Sequence, residues 1–181
     1  MSKPIYKRDK EGFEDFRRIT VNRIRKMNSA MKKILLAKRE IGIREADEKG
    51  IKSAVNDFFS CVCLYEFSQE KCFSSQNCFA SAEYVPGEKA LTEWEWETNE
   101  IYLEAKLIQR KYKKAINLVV DTVENLLREK YPNNSFFVVA SVQLGKNRNI
   151  NIRIFLNRGE AYISDDLENY KQPVLQDLLN T

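Results

Sequence analysis

The stretch TNEIYLEAKLIQRKYKKAINLVVDTVENLLREK, Thr98–Lys130, decides the fold. Ile101, Ala105, Ile108, Tyr112, Ala115, Val119, Val123 and Leu126 recur at steps of three and four, the spacing of one side of a helix. Ile116, Val120 and Leu127 widen that stripe into a face broad enough to be buried. Thr98 or Asn99 supplies a side-chain acceptor for the first free N–H groups, and Pro132 ends the element after Lys130. The expectation is one long helix over this whole range. Glu100 and Glu104, then Lys106, Arg110, Lys111, Lys113 and Lys114, lie on its far side.

Downstream, Ser135–Leu144 is a dense Phe-Val-Val run, and Asn149–Leu156 alternates Asn149, Asn151 and Arg153 with Ile150, Ile152 and Ile154. That alternation predicts a strand with one wet face. With Glu160–Ser164 as a third strand and short polar connections at Gly145–Arg148 and Asn157–Gly159, the region reads as an antiparallel meander. Asp165 or Asp166 can cap a short helical turn at Leu167–Tyr170, and Pro173–Leu179 forms an apolar segment able to pack back on the sheet.

Upstream, Met1–Gly12 reads as a flexible basic lead and residues 13–181 as a single domain. Phe13, Phe16, Thr20, Ile24, Met27, Met31, Ile34 and Leu35 follow helical spacing, which predicts a first helix ending near Gly42. Its other faces carry Arg17, Arg18, Arg23, Arg25, Lys26, Lys32 and Lys33, a surface for phosphates or for an acidic partner. A turn is expected at Gly42–Gly50, a second helix over Ile51–Tyr65 and an irregular excursion over Ser68–Ala82. Leu91–Thr98 alternates through Glu93, Trp94, Glu95, Trp96 and Glu97. In a strand this puts both tryptophans on one face and three carboxylates on the other, a possible partner anchor with an acidic rim. The fold class is therefore α+β, long amphipathic helices packed against one antiparallel sheet.

A chain of 181 residues, 43% hydrophobic and 31% charged, has the balance of an ordinary soluble globule. No stretch is apolar enough to insert in a membrane, and the polar, basic Met1–Lys10 is no secretory signal, so the expected compartment is the cytoplasm. Charge is uneven. Met1–Arg39 holds 13 Lys or Arg against 4 Asp or Glu, whereas Glu83–Glu104 holds 7 Glu against 1 Lys. Such a chain steers charged partners or holds its own halves together.

Histidine is absent, which removes the usual base of a nucleophilic triad and the commonest metal ligand. There is no Gly-rich phosphate loop, dinucleotide fingerprint or serine elbow. Cys61, Cys63, Cys72 and Cys78 match zinc in number, but the one-residue gap does not match zinc-site spacing, so reduced thiols and no metal or cofactor are expected. Asp165, Asp166 and Glu168 could bind a divalent ion if they converged, which is the case for a metal-dependent carboxylate enzyme. Tyr6-Lys7-Arg8, Arg17-Arg18 and Lys111-Tyr112-Lys113-Lys114 mix cations with aromatics, as a nucleic-acid groove does.

The segment NINIRIFLNRGEAYISDDLENYKQPVL, Asn149–Leu175, resembles the end of several small bacterial toxin-immunity proteins: a strand, a tight turn, a short strand, an acidic Leu-x-x-Tyr step and a Pro-Val-Leu finish. The resemblance implies a catalytically silent cytoplasmic protein that binds and neutralises a cognate toxin domain. The residues expected to meet that partner are Glu93, Trp94, Glu95, Trp96, Glu97, Asp165, Asp166 and Glu168, with Arg17, Arg18, Arg25, Lys111 and Lys114 as the basic surface. Nucleic-acid binding through the basic helices is the alternative.

Overall fold

The computed structural model describes residues 23–37, 42–67, 70–75, 88–108, 111–145, 147–159, 162–164 and 166–180. The chain runs β1 (Arg23–Met27), α1 (Ser29–Leu35), α2 (Glu45–Cys61), β2 (Val62–Phe67), β3 (Glu70–Ser75), α3 (Glu88–Thr98), β4 (Glu100–Glu104) and α4 (Ala105–Ile108). It continues through α5 (Tyr112–Lys130), β5 (Ser135–Gln143), β6 (Asn149–Leu156), a 3₁₀ turn (Leu167–Asn169) and β7 (Val174–Asn180). Five strands form an antiparallel sheet in the order β1-β7-β5-β6-β4, and β2 and β3 pair separately as a hairpin. The fold is α+β, with helices packed against antiparallel sheets. The second, two-stranded sheet is an addition to the single one expected. No helix among the described residues is long and apolar enough to cross a membrane.

Alternation along each strand sorts the main sheet into two faces. Ile101 and Leu103 of β4, Ile150, Ile152 and Ile154 of β6, Phe136, Val138 and Ala140 of β5, and Leu175 and Leu179 of β7 share one face and are buried. Over them lie Ile51, Val55 and Phe59 of α2, Met31 of α1, and Ala115, Ile116, Val119, Val120, Val123 and Leu127 of α5. These α5 residues are the helical stripe expected from their spacing. Asn133, with φ 71°, turns the chain back into β5, and Gly145, with φ 112°, turns β5 into β6.

Several boundaries differ from those expected, each because tertiary pairing overrides a local pattern. Thr98–Lys130 is not one helix. Glu-Ile-Tyr-Leu-Glu at 100–104 also satisfies a period of two, and the chain uses it to add β4 to the edge of β6. The first helix is reduced to α1. Residues 23–27 are extended along β7, and the rest of the expected helix, including Arg17 and Arg18, lies outside the described residues. Asn28 marks the switch: its Oδ1 accepts from the N–H groups of Met31 and Val174, and its Nδ2 donates to the carbonyls of Tyr170 and Gln172.

The expected turn at Gly42–Gly50 gives way to α2 from Glu45 on. Gly50 is accommodated mid-helix because a Cβ there would come within 2.7 Å of Leu107 Cδ2. The second helix stops at Cys61, and the β-branched and aromatic run after it forms β2. Residues 70–75 of the expected irregular excursion are β3. Residues 162–164 are irregular, so the third strand beside β5 is β7. The 3₁₀ turn is capped by Asp166, whose Oδ1 accepts from Glu168 N.

Tyr131 closes the core at the hairpin end. Its hydroxyl donates to the Val62 carbonyl at 3.1 Å, and its ring packs edge-on against Phe73. Burial, with smaller contributions from Cys63 and Tyr65, raises its pKa above the ordinary 10.0. The folded protein thus prefers the protonated phenol. That contribution to stability is whole below the unfolded pKa and is lost as pH rises through the folded one. Tyr131→Phe, which keeps the ring, is expected to flatten the fall of the urea midpoint above about pH 10; an unaltered alkaline slope would refute the assignment.

Candidate functional site

Glu93–Glu97 lies in helix α3 and not in a strand, so residues two apart diverge by about 200° and the two tryptophans do not share a face. Glu93 and Glu97 are exposed. Trp94 is 39% exposed and donates from Nε1 to Ser74 Oγ at 3.3 Å. Glu95 points inward and has no exposed surface. Its Oε1 accepts from Phe73 N at 2.7 Å and its Oε2 from Leu156 N at 2.8 Å, while both oxygens take N–H groups of Arg158. Arg158 also donates to the Lys71 carbonyl and to Thr92 Oγ1. One turn on, buried Asn99 donates from Nδ2 to the Phe73 and Ile154 carbonyls. Two side chains of one α3 face thus hold both backbone groups of Phe73 and fasten the hairpin to the main sheet. Glu95 belongs to the interior, not to a partner-facing rim.

The remaining candidates are dispersed. Glu168 accepts from the backbone N and the Oγ of Ser29, both at 2.8 Å, at the start of α1. Arg25 forms a bidentate pair with the fully buried Asp177, at 2.8 and 2.7 Å, so its charge is used inside the fold. Arg25, Asp166 and Glu168 border a cleft of about 410 Å³ together with Lys26 and Lys32. Lys111 is half-buried and Lys114 exposed at the start of α5, where Lys113 Nζ donates to the Ala37 carbonyl at the end of α1. Asp165 and Cys78 lie outside the described residues. Cys61 is exposed, Cys63 half-buried and Cys72 buried, and no three His, Cys, Asp or Glu among the described residues are arranged to hold a metal.

A wide concave feature lies on the second face of the sheet. At one end of this face Phe137, Val139, Phe155, Ile163, Leu167 and Val174 form a small apolar cluster, with Trp96, Tyr170 and Leu178 packed against it. The β6 side is left open as a cleft of about 600 Å³. Its floor is polar: Ser141 and Gln143 from β5, and Asn149, Asn151 and Arg153 from β6. Tyr170, Lys171, Gln172 and Pro173 make one wall, and Trp96 and Ile163 border it too. Asn149 Nδ2 donates to Gln143 Oε1 at 2.8 Å and to the Tyr102 hydroxyl at 3.3 Å. The guanidinium of Arg153 lies over the Trp96 ring at 4.7 Å from its centroid. Leu144, which borders the cleft, and Tyr102, beside it on β4, are 57% and 52% exposed.

The wet face expected for Asn149–Leu156 is this floor, and Trp96 among the expected partner residues reaches it. The contribution of β5 and of Tyr170–Pro173 was not foreseen; the polar alternation Ser141, Gln143 within an otherwise apolar strand is its sequence signal. Comparison with protein-family models, with curated proteins and with solved structures gives no match.

Because Glu95 is a buried charge with its partners fixed, Glu95→Ala leaves Arg158 without its counter-charge and two backbone N–H groups without their acceptor. It is expected to cost about 3–5 kcal/mol in urea unfolding, against less than about 0.5 kcal/mol for Glu93→Ala or Glu97→Ala. A loss for Glu95→Ala within the range of those two surface variants would refute the role given to it.

Proposed function

We propose that this protein is a non-enzymatic binding module, in its most specific form an immunity protein that neutralises a cognate toxin domain in the cytoplasm. The observation that carries the reading is the half-covered second face of the sheet. An antiparallel sheet face can stay wet, but a polar-floored cleft bordered by the exposed Leu144, with the exposed Tyr102 beside it on β4, has the make-up of an interface: apolar and aromatic anchors beside hydrogen-bonding groups. The uneven charge along the chain supports electrostatic steering of such an encounter. The exposed thiol of Cys61 suits a reducing compartment. The described acids and bases singled out in the sequence support a binder more than a metal-dependent enzyme, since Arg25, Glu95 and Glu168 spend their charges on internal partners.

A second reading, nucleic-acid binding, has its own support. Lys32 and Lys33 lie on α1, Lys113 and Lys114 on α5 with Lys111 just before it, and Lys113 links the two elements by donating to the Ala37 carbonyl.

Co-expression with the products of neighbouring genes is the test. The expected result is a one-to-one complex with one of them, together with rescue of growth from its toxicity. Leu144→Asp is expected to weaken that complex about thirtyfold or more, the scale of an interface hot spot. No complex with any neighbouring gene product, together with salt-dependent oligonucleotide binding lost in Lys111→Ala/Lys114→Ala, would replace this reading with the second.

A further inference from the structure

We infer that the open cleft seats an extended, acidic segment of the partner polypeptide, with a carboxylate at Arg153 and Lys171 and a backbone N–H at Asn151; this rests on the protein-binding reading above. Charge is the first argument. Among the described residues the lining contains Arg153 and Lys171 and neither Asp nor Glu. Arg153 is held over Trp96, and its contact with Glu100 is long, 3.5 Å from Nη2 to Oε1. A guanidinium has five N–H donors in a planar fork, so this contact leaves room for a bidentate carboxylate.

Spacing is the second argument. Asn149, Asn151 and Arg153 recur every second residue along β6, a repeat of about 6.8 Å. Gln143 stands opposite Asn149 and Ser141 opposite Asn151, which doubles the row into a lattice. Alternate residues of an extended chain have the same repeat, so a segment laid along β6 keeps register with the floor over several contacts.

The third argument is a missing donor. Oδ1 of Asn151 is buried and accepts no hydrogen bond among the described residues. Buried acceptors are normally satisfied, and a peptide N–H supplies what a bare anion cannot. Nucleic acid fits less well. Trp96 already spends its ring on Arg153, on Tyr162 at 5.0 Å and on Phe155 at 5.7 Å, instead of offering it for base stacking.

The probe is the capped peptide acetyl-Thr-Glu-Thr-Glu-Thr-amide, followed by fluorescence in Trp94→Phe protein, which has Trp96 as its one tryptophan. A saturable change is expected, at least tenfold weaker when the peptide's Glu residues are replaced by Gln or Lys. Arg153→Gln and Asn151→Asp are each expected to weaken binding at least tenfold. Lys171→Gln, on an exposed side chain, serves as the variant that leaves the urea midpoint unchanged. Glutarate and inorganic phosphate, which lack the N–H, are expected to bind at least tenfold more weakly than the peptide. No saturable change with the peptide, equal binding of glutarate or phosphate, or tighter binding of oligo(dT) overturns the inference. A protein complex indifferent to Arg153→Gln, Asn151→Asp and Lys171→Gln overturns it too, while leaving the protein-binding reading standing. Peptide binding as expected, with no complex from any neighbouring gene product, supports the site and removes the immunity reading.

Discussion

The Glu95 carboxylate is the constraint on which the assembly of this fold turns. An ionised group with no exposed surface is tolerated only when its lone pairs are met by fixed donors, and here they come from two separate parts of the chain: Phe73 in the hairpin, and Leu156 and Arg158 at and just beyond the end of β6. Ion pairs of this kind are modest contributors to net stability beside a well-packed apolar substitute. What this pair supplies is uniqueness. Sliding β3 by one residue would replace the outward Phe73 N–H by a neighbour whose N–H faces β2, and would strand the charge. Phe73 itself then enters the main core, where its ring meets Phe59, Tyr131 and Phe136. A polar joint thus sets the position of an apolar wedge.

The two faces of the large sheet are finished differently. The strand residues described on the helical side of β4 to β7 are apolar apart from Asp177 of β7, which is buried and neutralised by Arg25 from β1. Among the described residues, the other side is covered where α3 and the residues around the 3₁₀ turn reach it. The division follows the strands' own composition. Phe137, Val139 and Phe155 lie under the cover, while Ser141, Gln143, Asn149 and Asn151 lie beyond it. A floor of amides and hydroxyls tolerates water and also rewards a partner that brings matching donors and acceptors.

The sequence was most legible where periodicity and tertiary environment agreed. The stripe from Ala115 to Leu127 and the alternation from Ile150 to Ile154 each admit one interpretation, and both elements formed as read. It was least legible where one string satisfies two periods. Ile101, Ala105 and Ile108 fit a helix, yet Ile101 and Leu103 with charged neighbours fit a strand, and the free edge of β6 decided between them. Glu93–Glu97 misled in the opposite sense. Its strict alternation suggested a strand, but the inward line is Leu91, Glu95 and Asn99, four residues apart, with two polar members that no hydrophobicity pattern would assign to the interior. The cleft was half legible. Asn149, Asn151 and Arg153 announced a wet surface, but only the fold brings Lys171 and Trp96 to its border.

The position of β7 has a consequence for how the molecule is made. Val174–Asn180 does not line the rim of the sheet but lies between β1 and β5, bonded on both sides, although β1 and β5 both precede it along the chain. During synthesis, β5 and β6 emerge and can pair while the flank of β5 stays bare and β1 has nothing to join. β1 must wait, across some 150 residues, for β7 to thread into the gap between it and β5. Such distant closure is slow, and until it happens an apolar flank stands open to other nascent chains. Crowding on the ribosome, more than any step within the finished fold, is then where this protein is most exposed to misassembly.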